Sequence, residues 1–233
     1  MLGRSPRAWR PLDTGLGCRY IRFLAGADPM LSDLTNLPRT IVPEAFFEKV
    51  MEVVADIPAP PEAAEDRALV RLEGLGGGEW NVGFVDGRAQ IRQGTIEEPT
   101  VQVGLSVIDW REFVVGRVRD VVTPGMDKNL LDPRLLVRIF DDREAVEAVR
   151  EFQGTIKLTV RDPAEAGDYV LYVTLGGQEE TREQPATTVD IALDDLASLV
   201  RRDSTPQAAF FAGKIRIDGD MNLAMALMTL TSS

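Results

Sequence analysis

The chain has no histidine among its 233 residues, and that absence removes the commonest general base, the imidazole triads and the usual zinc ligand together. Its single cysteine, Cys18, closes no internal disulfide and supplies no metal-ligand spacing. A reducing compartment follows as the natural expectation, with cytoplasm as the default. Uninterrupted apolar runs last only a few residues, far short of the roughly 20 that cross a bilayer, so stable membrane insertion is not expected. Basic residues are outnumbered, 26 against 37 acids for a net charge of -11. Phosphate contacts dominate nucleic-acid affinity, so that class of partner is excluded, and an anionic membrane repels the chain as a whole.

Hydrophobic residues make up 44% of the chain, enough for one large globular core or two small ones. Residues 1–29 differ in composition, with five Arg against two Asp and no Lys. They contain no apolar stretch of signal-peptide length, and the expectation is a poorly ordered leader, or sequence ahead of a start at Met30.

From Pro43 onward, Phe46, Phe47, Val50, Met51, Val54 and Ile57 fall on one helical stripe that ends before Pro58. LVRLEG, EWNVGFVDG, AQIRQG and TVQVGLSV follow as four short strands separated by Gly or acidic turns. Asp109 is then placed to cap a helix over DWREFVVGR.

The second half repeats this order, from TIKLTV through DYVLYVTLGG to a Pro-led strand and a helix. PTVQVGLSVIDW, residues 99–110, lies against PATTVDIALDDL, residues 185–196, with Val103 facing Val189, Leu105 facing Ile191 and Asp109 facing Asp195. TPGM at 123 meets TPQA at 205, and VRIFDDREAVEAV at 137 meets IRIDGDMNLAMAL at 215. Three blocks in the same order predict a duplicated unit, one copy over 30–150 and the other over 151–233, each closing with a strand and a helix.

The two closing helices are unlike. DREAVEAVREF is amphipathic, with Ala145, Val146, Val149 and Phe152 on one side. MNLAMALMTL carries no charge and sets Met221, Met225 and Met228 on one face and Leu223, Leu227 and Leu230 on another. An uncharged helix must be covered on most sides or must itself cover something apolar. Methionine serves both as a gap-filler in cores and as an adaptable binding surface, and the pattern leaves both open.

FFAGKIRIDGDMNLAMALMTL, with its Gly-Lys strand and Gly-Asp turn into an Ala/Met/Leu helix, resembles the C-terminal signature of sterol-carrier-protein lipid-binding domains. The likeness is best over 152–231 and fainter over 44–150, where the Gly-Asp turn has become Asp141-Asp142. It implies an α+β fold, a twisted, mostly antiparallel sheet with helices over one face and an apolar tunnel between them for a lipid or other hydrophobic small molecule. Carried over by position, it implies tunnel roles for Phe210 and Phe211 in a short helix, Ile215 or Ile217 in the strand, and Met221, Ala224, Met225 and Met228 in the last helix.

Such a protein is a non-enzymatic carrier with no cofactor. The alternative is an interaction module with filled cores that docks on a protein partner or on a second copy of itself. GLGGGEW lacks the Lys-Ser/Thr of a phosphate loop and precedes a strand, so it reads as a hairpin connection. Acid pairs such as Glu97-Glu98 and Asp194-Asp195 lack the spacing of a calcium loop and read as turns and helix starts. Asp220 sits where a carboxylate favours the start of the last helix.

Overall fold

The computed structural model describes residues 37–60, 66–124, 137, 139–165 and 167–232; the leader expected over 1–29 lies outside them. Helix α1 (Pro43–Val54) comes first, with Pro43 in the first turn, where no N–H is needed. The stripe read from the sequence is its buried face, through Phe46, Phe47, Val50 and Val54. Phe47 stacks on Trp80 with ring centres 4.4 Å apart, and Phe46 meets Trp110 edge-on at 5.5 Å. Each such pair contributes about 1 kcal/mol beyond area burial.

Strands β1 (Ala68–Glu73), β2 (Gly78–Val85), β3 (Arg88–Gln93) and β4 (Val101–Ser106) follow. Asp86 and Gly87 both take positive φ, 52° and 76°, the two-residue turn that matches strand twist in the β2–β3 hairpin. Next come α2 (Val107–Val114), α3 (Arg117–Val122) and α4 (Arg143–Glu151). The second half supplies β5 (Gly154–Asp162), β6 (Gly167–Leu175), β7 (Thr187–Ala192), α5 (Leu193–Val200), α6 (Pro206–Phe211), β8 (Ile215–Gly219) and α7 (Met221–Ser232).

All eight strands form one sheet in the order β3-β2-β1-β4-β6-β5-β7-β8. Only the β1–β4 and β5–β7 neighbours are parallel, so the mostly antiparallel α+β fold expected from the sequence is the one found. The halves share a plan. β1 pairs antiparallel with β2 and parallel with β4, as β5 does with β6 and β7. The registers correspond too, since Val103 sits beside Val70 as Val189 sits beside Leu158.

One expectation is corrected. The closing strand expected from the segment at 137 is not found among the described residues there: Val137 is helical and 139–141 are a turn. The edge of β4 that it would occupy is taken by β6, which pairs Val103 with Val173 as β8 pairs Ile217 with Val189. The free edge of the first half is thereby satisfied by the second, which removes an exposed ladder of backbone groups.

Helix caps differ from expectation as well. Ser106, not Asp109, caps α2: its hydroxyl accepts from the Asp109 N–H at 2.9 Å and also donates to the Asp109 carboxylate at 2.7 Å. In α5 the cap residue is Ala192, without a side-chain bond, and Asp195 lies inside the first turn. Asp220 does cap α7, accepting from the Asn222 N–H at 2.8 Å.

Alternation puts Val70, Val82, Val103, Val173, Ile156, Val189 and Ile215 on the face that carries the helices. Two adjoining cores result. The first gathers α1, Trp80 and Trp110, and the second gathers β5 to β8, Val118, Val122, Leu193 and Leu223. Helix α4 spans both, with Val146 in the first and Val149 in the second.

On the opposite face, residues 176–186 cross the sheet as a strap. Glu180 accepts from the Gln102 amide at 2.9 Å and pairs with Arg182, whose guanidinium reaches Glu73 at 2.6 Å and lies 4.8 Å over the Tyr172 ring. The Thr181 N–H donates to the Thr155 hydroxyl at 2.9 Å.

Candidate functional site

Helices α2 and α3 are joined at Gly116 by so tight a bend that a Cβ there would fall 2.3 Å from the Glu112 carboxylate, which accepts from the Arg117 N–H. The bend turns Phe113 and Val114 of α2 and Val118 and Val122 of α3 toward the second half. Leu158 of β5 and Leu196 and Val200 of α5 face them, and together these seven residues line a half-open cavity of about 280 Å³. Its volume lies near the lower end for small-molecule sites. Val114, Val118 and Val122 are buried, whereas Phe113, Leu158, Leu196 and Val200 are half-buried, so the cavity opens on that side.

Every lining side chain is a hydrocarbon; polar groups stand only at the margin. Phe113 packs edge-on against Tyr169, ring centres 6.4 Å apart, and burial pushes the Tyr169 hydroxyl above its ordinary value, helped by the charge of Asp162. Arg117 donates to the buried Asp162 carboxylate at 2.9 Å, and that bond holds Asp162 below the usual carboxylate range. At another part of the rim, the Arg201 guanidinium follows Val200 and reaches the Val121 carbonyl at 3.5 Å. Such a site binds by removing apolar surface from water, and its flanking charges are already paired.

The residues implied by the resemblance lie elsewhere. Ile215 and Ala224 are buried in the second core, where Val118 and Val122 also lie, and Ile217 packs against it. Met228 and Phe210 are half-buried, while Met221 and Met225 are about two-fifths exposed and Phe211 is 85% exposed. Phe210 and Phe211 touch edge-on at 5.8 Å. None of the eight lines the cavity described above.

The composition of α7 has a packing explanation. Leu223, Ala224 and Ala226 are buried, and the helix contacts α4 and strands β5, β7 and β8. Cavity residues from α2 and α3 were not legible as a site, because they belong to the half with the fainter resemblance. The available signal was FVVGRVRDVV, whose apolar positions exceed what one face of a short helix buries.

Among the described residues, no cluster of acidic, Cys or His side chains is built to hold a metal, and no helix is long and apolar enough to cross a membrane.

Residues 134–232 match the model of the SCP-2 sterol transfer family. Sterol carrier protein 2 of Rattus norvegicus is 29% identical over 111 residues, 46% of this chain, and the chain spans about a fifth of that relative's length, 20%. The solution structure of sterol carrier protein domain 2 of Helicoverpa armigera is 30% identical, covering 41% of this chain and 77% of that one with a TM-score of 0.31. Palmitated SCP2L2 of Aedes aegypti is 22% identical, covering 43% and 89% with a TM-score of 0.33. Residues 134–232 therefore form an SCP-2 sterol transfer family domain.

Proposed function

We propose that the protein is a non-enzymatic carrier that holds the hydrocarbon part of a lipid in the cavity between α2, α3, α5 and β5. The observation that carries this reading is the wholly apolar lining of a space of about 280 Å³ that opens to solvent on one side. Each methylene removed from water contributes about 0.8 kcal/mol. About eight of them give roughly 6 kcal/mol before ordering costs, enough for reversible capture. Family membership supports a lipid as the ligand class. Both halves contribute walls, so the reading requires the N-terminal half as well as the family-matching segment.

The matched registers support descent of the halves from one repeated unit, with α1 leading β1 as α4 leads β5. On this reading the boundary falls before α4, and β6 fills the edge that the first unit leaves open.

Native mass spectrometry of freshly purified full-length protein, followed by denaturation and organic extraction, tests the carrier reading. A bound species of lipid mass that is lost on unfolding is expected. Leu196→Trp, which fills the cavity, is expected to displace that species and to lower uptake of a fluorescent fatty acid by about tenfold. A clean apo mass with no uptake of added fatty acid or sterol overturns the reading in favour of an interaction module.

A further inference from the structure

Strand β3 forms one edge of the sheet and β8 forms the other. The β3 edge is covered. The Ala89 N–H donates to the Ile57 carbonyl at 2.9 Å, the Ala59 N–H donates to the Gly87 carbonyl at 2.9 Å, and the Ile91 N–H meets the Met51 sulfur at 3.1 Å. No such cover lies on the β8 edge among the described residues.

The phase of the ladder shows which groups are left open there. The Asp220 N–H donates to the Ala186 carbonyl at 3.1 Å, and in the register that continues from it Asp218 with Thr188 and Arg216 with Asp190 are the hydrogen-bonded pairs. Ile215, Ile217 and Gly219 therefore turn their N–H groups away from β7, toward the open side. Side chains divide by face as well. Ile215 is buried in the second core and Ile217 packs against it, which leaves Arg216 and Asp218 exposed on the face away from the helices. Neither has an ion-pair partner among the described residues, and Asp190, across from Arg216, is held by Arg161 at 3.0 Å.

We infer that β8 is a docking edge for a second copy of this chain, the two strands pairing antiparallel about a twofold axis at Ile217. In that register Ile217 of each copy meets Ile217 of the other as a hydrogen-bonded pair, and Ile215 meets Gly219, so the open groups find partners. Arg216 of each copy then stands opposite Asp218 of the other, at the position where cross-strand side chains come closest. The strand is its own electrostatic complement. Charges on an edge ordinarily discourage pairing, but an antiparallel copy presents the opposite sign at each. Sliding the strands by two residues sets Arg216 against Arg216 or Asp218 against Asp218, which fixes the register. A second copy carries this match by construction, whereas a foreign strand would need the same charge order.

Five residues of edge strand bury less than the roughly 800 Å² per side of a stable complex, so the dimer is weak and concentration-dependent. The pairing adds some apolar surface. It sets the start of one β8, which follows α6, against the end of the other, which leads into α7, and so brings the exposed Phe211 and Met221 to the same end of the junction.

Sedimentation velocity of the full chain between about 1 and about 200 μM tests the inference over the range expected of a weak interface. The wild type is expected to pass from monomer to dimer. Arg216→Asp alone and Asp218→Arg alone each set like charges across the junction and are expected to weaken association by at least about tenfold. Both substitutions in one chain, or an equimolar mixture of the two single variants, restore opposite signs and are expected to restore the dimer. Ile217→Pro removes an N–H that β7 does not use, and is expected to abolish association while melting near the wild type.

A wild type that stays monomeric throughout overturns the proposal and leaves the edge to an extended segment of another protein. A dimer that survives Ile217→Pro, or that neither single reversal weakens, overturns it in favour of another surface. Failure of both the combined variant and the mixture to regain the dimer overturns the paired register.

Discussion

Arg150 donates a 2.6 Å hydrogen bond to Asp66, a carboxylate with no exposed surface, across 84 residues of chain. Arg143 donates to the other oxygen of the same carboxylate, also at 2.6 Å. Asp66 stands just before β1 and both arginines lie on α4, so one buried anion ties the helix that bridges the two cores to the start of the first half. The arginine side chains retain 31% and 41% exposure while Asp66 has 0%. The consequences of cutting the contact are therefore unequal.

Asp66→Asn leaves two arginines that can turn to water, and is expected to lower unfolding free energy by about 2 kcal/mol. Removing both arginines leaves a buried carboxylate uncompensated, which is the costlier change. Urea denaturation should place the midpoint of Arg143→Ala with Arg150→Ala below that of Asp66→Asn. The triple variant should recover part of the loss. A strictly additive triple variant would show that the carboxylate and the arginines do not act as one unit.

Acid should expose a second tie between the halves. The hydrogen bond from Arg117 of α3 holds the Asp162 carboxyl of β5 below its ordinary value. A depressed folded value means that the native state binds fewer protons than the unfolded chain. The contribution is fully present above about pH 4 and is lost as pH falls through the folded value. Arg117→Met removes the first cause of the shift, so its acid unfolding transition, followed by circular dichroism, is expected at higher pH than in the wild type. Coincident transitions would place the acid-labile contact elsewhere.

Gly104 governs the strap on the face away from the helices. A Cβ at that position would lie 2.2 Å from the Glu180 carboxylate and 2.8 Å from the Arg182 guanidinium. Both side chains are committed, Glu180 to Gln102 and Arg182 to Glu73 and Tyr172. Gly104→Ala is expected to displace residues 176–186 and cost about 1–3 kcal/mol. Limited proteolysis should cut the variant within that segment well before the wild type. Unchanged cleavage would mean that the strap absorbs a methyl group by side-chain motion alone.

Much of the local structure was legible in the sequence because it depends on period and turn chemistry. The stripe from Phe46 to Val54 is a helix, Asp86-Gly87 is a hairpin turn, and the blocks at 99 and 185 both fold as a parallel strand running into a helix. Strand order was not legible. A two-residue alternation shows which face a side chain takes but not which edge accepts it, so nothing in DYVLYVTL announced that β6 would pair with β4. That pairing fills the edge at which a strand from the segment at 137 was expected. The cavity was hidden for the same reason, because its walls come from α2, α3, α5 and β5, which meet only through the joined sheet. The strap shows a different limit: residues 176–186 have no apolar period, and their place is set by Glu180 and Arg182 finding partners far along the chain.

A carboxylate placed at two positions separates the cavity from the last helix as the seat of a ligand. Leu196 is half-buried and lines the cavity, whereas Met225 is 42% exposed on α7. An unpaired charge facing an apolar ligand must be desolvated each time the ligand enters, whereas one that keeps contact with water need not be. Leu196→Glu is therefore expected to lower fatty-acid uptake by at least about tenfold, and Met225→Glu to stay within about twofold of the wild type. Thermal melts of both variants serve to separate lost binding from lost folding. If Met225→Glu abolishes uptake while Leu196→Glu keeps it, the ligand sits on the methionine face of α7, and the space between α2, α3, α5 and β5 is packing without a tenant.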